Sequence, residues 1–180
     1  PFKCILVIIL RDYMTVYNII YMKRDNLDNI DIKILSLLQK DGRITNVDLA
    51  EKVDLSAPPC LRRVRSLEKN GFIKGYHADL QAEKLGFEVT VFAMVGLHNQ
   101  AESDLRQFEE RILSLPYVRE CHMLNGEIDF ILKCVAPDLS TFQSFLTKEL
   151  TSAPNVASVK TSLTIRQSKH SPGIPINLED

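Results

Sequence analysis

The chain has 180 residues, 45% of them hydrophobic and 25% charged, enough to bury a core in one or two small domains. Its formal net charge of −1 excludes a uniformly basic coat for nucleic acid. The charge is uneven: residues 27 to 77 hold nine Lys/Arg against seven Asp/Glu (net +2), and residues from 78 onward hold nine against fourteen (net −5), which suits two domains with different partners.

Residues 1 to 26 differ in pattern from the rest of the chain. Cys4 to Leu10 is an apolar run between Lys3 and Arg11, too short to cross a bilayer, and no small-residue cleavage site comes after it. Met22 falls just before the first patterned helix, so residues 1 to 21 read as a mis-assigned start. An intact mass of the native protein that includes them would contradict this. With neither a membrane span nor a secretion signal legible in the sequence, a cytoplasmic protein is expected. Four cysteines (Cys4, Cys60, Cys121, Cys134) and four histidines lie without paired spacing, which points to reduced thiols and to no metal or other cofactor.

From Asp28 the pattern is regular. Asp28 with Asp31 has capping-box spacing, Ile30, Ile34, Leu37 and Leu38 share a helix face, and Asp41-Gly42 ends it. Thr45 with Asp48 opens a second helix with Leu49, Ala50 and Val53 inward. Three residues then lead to a third, with Ser56 as N-cap, prolines in its first turn and Gly71 after its end. Cys60, Leu61, Val64 and Leu67 form its apolar stripe, and the other faces carry Arg62, Arg65 and Lys69, with Arg63 at the boundary. Two short helices joined by such a turn, the second cationic, read as a helix-turn-helix over residues 27 to 77 for double-stranded DNA. Ser56, Ala57, Cys60, Leu61 and Arg62 are placed to approach base edges. Arg63, Arg65 and Lys69 are expected on phosphates, with Arg43 and Thr45 as further backbone contacts.

Phe72 to Leu80 reads as a strand leaving this module, and residues 78 to 86, polar and ending on Gly86, as a linker. Residues 87 to 166 have the order strand, helix, strand, strand, helix, strand. Val89 to Leu97 is an apolar strand, and Leu105, Phe108, Ile112 and Leu115 mark a helix that stops before Pro116. Two strands flank Asn125-Gly126, a hairpin signal. Asp138 caps a helix with Leu139, Phe142, Leu146 and Leu150 inward, and Val156 to Arg166 closes the sheet. This is the ferredoxin-like βαββαβ order, so the chain is expected to be α+β, with a winged-helix-like N-terminal module, and residues 167 to 180 form a loose tail. The sheet face without helices needs a partner, and self-association suits a reader of two-fold DNA sites. No phosphate loop, nucleophile elbow or metal spacing appears, so no catalytic residue is nominated. Backbone amides around Gly126 have the chemistry to hold a carboxylate and Asp129 that to pair with an ammonium, although a plain hairpin turn explains the same residues.

Leu27-Asp28 through Asp41-Gly42-Arg43, Leu55-Ser56 with Pro59-Cys60-Leu61-Arg62-Arg63-Val64, Gly71 to Tyr76, and Gly126 with Asp129-Phe130 strongly resemble the Lrp/AsnC family, the leucine-responsive or feast/famine regulators, over about residues 27 to 166. The resemblance implies an N-terminal DNA-binding domain and a C-terminal domain that dimerises, assembles to octamers or larger bodies, and binds a free amino acid between dimers. It makes Leu124, Asn125, Gly126, Glu127, Asp129 and Phe130 effector residues, with His122 beside them. Phe130 stands where the family often has tyrosine, and Asn125 where Ser or Thr is common. Two alternatives share this outline: an amino-acid-sensing adaptor, and an enzyme resembling the haem-pathway decarboxylases related to this fold.

Overall fold

In a computed structural model, residues 27–176 are described and divide into two compact units, residues 27–78 with 171–176 and residues 79–170. The apolar run at Cys4 to Leu10 and the mis-assigned start lie outside the described residues.

Local capping builds the first unit. Asp28 caps α1 (Asn29–Lys40): its Oδ1 accepts from Asp31 N at 2.8 Å, and Asp31 Oδ2 accepts from Asp28 N at 3.3 Å. Thr45 Oγ1 accepts from Asp48 N at 3.1 Å to start α2 (Asn46–Lys52). The turn to α3 (Ala57–Lys69) passes through Asp54 at φ 56, and α3 ends at Gly71 with φ 75, a left-handed conformation that glycine adopts without Cβ strain. Ile34, Leu49, Ala50, Val53, Cys60 and Leu67 form the core. Burial stabilises by roughly 1.5–3 kcal/mol for each large side chain, so the three short helices hold by packing more than by propensity. Leu61, expected in this stripe, is 36% exposed. Its Cα lies about 100° around the helix from buried Cys60, which carries it to the rim of the face.

The strand expected over Phe72 to Leu80 does not form among the described residues. An extended segment becomes a strand only beside a partner that accepts its ladder, and no strand pairs with it here. It is tied back to α3 instead: Phe72 N donates to Leu67 O at 2.9 Å and Tyr76 Oη to Glu68 Oε1 at 3.0 Å.

In the second unit, β1 (Val89–Leu97), α4 (Glu102–Leu113), β2 (Val118–Met123), β3 (Phe130–Ala136), α5 (Leu139–Phe145) and β4 (Val156–Leu163) give the sheet order β2-β3-β1-β4, every pair antiparallel. Along β3, Phe130, Leu132, Cys134 and Ala136 are buried in turn, and they meet Phe108 and Ile112 of α4 and Phe142 and Phe145 of α5. Both helices therefore cover one face. The other carries Phe92, Met94, Ile131, Val135 and the Lys133–Glu120 ion pair (2.8 Å). Burial pushes the thiols of Cys121 and Cys134 up to about 11, so they stay protonated.

Three expectations change here. Leu139 is 48% exposed and Phe145 takes the inward place: Phe142 and Phe145 face the core, and Leu139 lies about 120° around the helix from Phe145, while a π turn over Leu146–Leu150 then shifts the phase so that Leu150 is buried as well. β4 ends at Leu163, and Ile165 is 99% exposed. The tail is anchored at one point within the first unit, where Gln39 Nε2 donates to Ile174 O (2.7 Å) and Ile174 N to Gln39 Oε1 (3.0 Å), a side-chain amide acting as a backbone partner. The linker holds a 3₁₀ turn, Glu83–Leu85, closed by Gly86.

Candidate DNA interface and effector loop

The start of α3 is chemically unusual. Ser56 has N-cap backbone geometry yet makes no capping bond, because the second and third helical positions are Pro58 and Pro59, which have no N–H to donate. Ser56 is exposed, so its hydroxyl is left for an outside partner, and Arg62 and Leu61 are exposed further along the same helix. Arg65 and Lys69 continue the exposed cationic surface, and Arg43 is exposed ahead of α2.

Other nominated residues are already committed. Cys60 is fully buried, and desolvation raises its thiol pKa, so it packs and cannot reach a base edge. Thr45 Oγ1 donates to Asp48 Oδ2 at 2.6 Å while capping α2. Ala57 is half-buried and its carbonyl accepts from Asn46 Nδ2 at 2.9 Å, a link between α2 and α3 that leaves Asn46 Oδ1 buried without a partner. Arg63 Nη1 donates to Asp28 Oδ2 (2.7 Å) and Asp31 Oδ1 (2.9 Å).

The second constellation is the β2–β3 connection. Six residues, 124 to 129, join the strands. A two-residue Asn-Gly turn of the primed type needs positive φ, which neither Asn125 nor Gly126 has, so the expected tight hairpin is replaced by a wider loop. Leu124 N donates to Asp129 O at 2.8 Å and Asp129 N to Val95 O at 3.0 Å, closing it. Asp129 Oδ2 accepts from Leu97 N at 2.6 Å, fixing the loop to the end of β1. The N–H groups of residues 125 to 128 donate no hydrogen bond among the described residues, and Asn125, Gly126 and Glu127 are exposed. Phe130 is fully buried against Phe108, ring centroids 4.7 Å apart, so it supports the loop from below and does not line it. His122 lies on the helix-free sheet face, Nε2 3.4 Å from Glu120 Oε2.

A family model described as the Lrp/AsnC ligand binding domain matches residues 90–174, and one described as winged helix-turn-helix DNA-binding matches residues 27–74. The chain is 56% identical over 146 residues to the leucine-responsive regulatory protein of Rhizobium meliloti, covering 81% of this chain and 94% of that one. The chain belongs to the Lrp/AsnC family. Over 140 residues, this Lrp/AsnC protein is 45% identical to the Bkd operon transcriptional regulator of Pseudomonas aeruginosa, covering 78% and 92% of the two chains. It superposes on a transcriptional regulator of Neisseria meningitidis solved with L-Met at a TM-score of 0.80, with 36% identity, covering 84% of this chain and 98% of that one.

Like these relatives, this Lrp/AsnC member is a DNA-binding transcriptional regulator with a ligand-binding domain, and the family consists of regulators, not enzymes. The adaptor and decarboxylase alternatives give way to that. Among the described residues, no helix is long and apolar enough to cross a membrane. Sequence reasoning missed the Arg63–Asp28–Asp31 arrangement and the Asn46–Ala57 link. Both join residues distant in sequence, and only the capping spacing of Asp28 with Asp31 hinted at either.

Proposed function

We propose that this regulator reads DNA through Ser56, Leu61 and Arg62 at the start of α3, with Ala57 as backbone support, and holds phosphates through Arg43, Arg65 and Lys69. The freed Ser56 hydroxyl and the exposed arginines support the first part. Its effector is a free amino acid, whose carboxylate meets the unpaired N–H groups of residues 125 to 128 and whose ammonium meets the Asp129 oxygen not used by Leu97 N. The regulator acts in the cytoplasm as a homodimer through the helix-free sheet face around Phe92, and dimers assemble further, to an octamer or similar, around the loops.

One observation carries the effector assignment. Gly126 has negative φ, and an added Cβ would meet nothing within 4 Å, so the chain's own fold does not require glycine there. A ligand approaching the loop backbone would. Gly126→Ala is therefore expected to leave thermal stability unchanged or slightly raised, since the unfolded chain loses freedom. The same change abolishes the shift in DNA affinity produced by leucine or methionine in the wild type. A variant that responds to both amino acids as the wild type does would defeat the assignment.

A further inference from the structure

We propose that Arg63 positions the DNA-reading helix and does not contact phosphate: with Asp28 and Asp31 it closes a ring of hydrogen bonds that fixes the rotation of α3 against the start of α1. The inference rests on the reading of α3 as the DNA-reading helix.

Four bonds make the ring, and each carboxylate oxygen is used once. The capping box takes Asp28 Oδ1 (from Asp31 N, 2.8 Å) and Asp31 Oδ2 (from Asp28 N, 3.3 Å). The two remaining oxygens, Asp28 Oδ2 and Asp31 Oδ1, accept from Arg63 Nη1 at 2.7 and 2.9 Å, one for each of its hydrogens. Asp31 is the shielded member, its side chain 14% exposed. The N–H of Asp31 and the guanidinium hold the Asp28 carboxyl below its ordinary value, and the two carboxylates raise Arg63 above its own.

Charge separates the two roles. One guanidinium between two carboxylates leaves a local charge of −1, which repels a polyanion, whereas Arg62 and Arg65 have no carboxylate within ion-pairing distance among the described residues. Geometry supplies the function. Successive residues turn by about 100°, so an Arg63 held toward α1 sets Arg62 and Arg65 about 100° and 160° away from it, on the outer side. Cys60 and Leu67 seat the helix in the core, and the ring adds a polar tie on the side facing α1. A cavity of about 360 Å³ lies beside the ring, lined by Leu27, Asp31, Arg63, Leu67 and Phe72 among others.

The test uses the full chain, anisotropy on the fragment upstream of its own gene and on a scrambled fragment, and several salt concentrations. Asp28→Asn keeps an N-cap acceptor and removes the charge, so the double variant Asp28→Asn/Asp31→Asn probes the ring even if Arg63→Met does not fold. The ring predicts that the double variant lowers the native-over-scrambled affinity ratio by roughly fivefold or more, the size of one mismatched base pair. Arg63→Met gives the same loss, adds nothing to the double variant, and leaves the salt slope on scrambled DNA unchanged. A slope reduced by about one in Arg63→Met would make it a phosphate contact and overturn the proposal. So would tighter binding of both fragments by the double variant at an unchanged ratio, the outcome of simply removing two negative charges. A wild type without preference would overturn the reading of α3 and this proposal with it, whereas a preference that every variant keeps would overturn the ring alone.

Discussion

Asn155 shows how much one side chain can hold. It sits at φ 64, a conformation that costs most residues about 1–2 kcal/mol and that Asn and Gly tolerate best. Its amide donates from Nδ2 to Asn99 O (2.8 Å) and accepts at Oδ1 from Asn99 N (3.0 Å), while its own carbonyl accepts from His98 N (2.9 Å). The residue thus pins the end of β1 to the entry of β4. Asn155→Ala loses two bonds worth about 1 kcal/mol each and adds the backbone strain, so the expected destabilisation is about 3–4 kcal/mol. Asn155→Gly loses the bonds without that strain, and about 1–2 kcal/mol is expected. Urea denaturation of the three proteins measures the difference, and equal losses would show that the left-handed backbone carries no strain. The Gln39 amide plays the same part against Ile174 in the first unit.

Element by element, the phase of α5 decides which residues matter. Phe145 is buried and meets Tyr117 edge-on at 5.5 Å, while Leu139 at the helix start is half-exposed. Phe145→Ala is expected to cost about 3–5 kcal/mol and Leu139→Ala within about 0.5 kcal/mol, measured by chemical denaturation. A reversed order would contradict that phase. The helical repeat was legible in the sequence, but the π turn that interrupts it was not, because nothing local in Leu146–Leu150 marks it. Elements whose ends are set locally were read closely: Asp28, Thr45 and Asp138 each cap the helix their spacing announced. Features that depend on a distant partner were not. Phe72 to Leu80 has the composition of a strand but no neighbour to pair with, and Asn125-Gly126 has the signature of a tight turn that the Asp129 bond to Leu97 N holds open. Arg63 looked like one more cation in a run until the fold brought Asp28 and Asp31 to it.

At the scale of the whole molecule, the division of labour matches the division of charge. The unit carrying exposed Arg43, Arg62 and Arg65, in the net-positive stretch of the chain, is the one matched as a DNA-binding domain, and the acidic remainder contains the region matched as a ligand-binding domain. The proposed homodimer would present two copies of α3, so the site it reads is expected to have two half-sites about one or more helical turns apart. The most direct test is fluorescence anisotropy on the DNA upstream of the protein's own gene and on a scrambled fragment of equal length, at two salt concentrations. Preferential binding to the native fragment, weakening with salt on both and lost in Arg62→Ala, is the predicted result. Equal affinity for the two fragments in the wild type would contradict the claim that the start of α3 reads sequence.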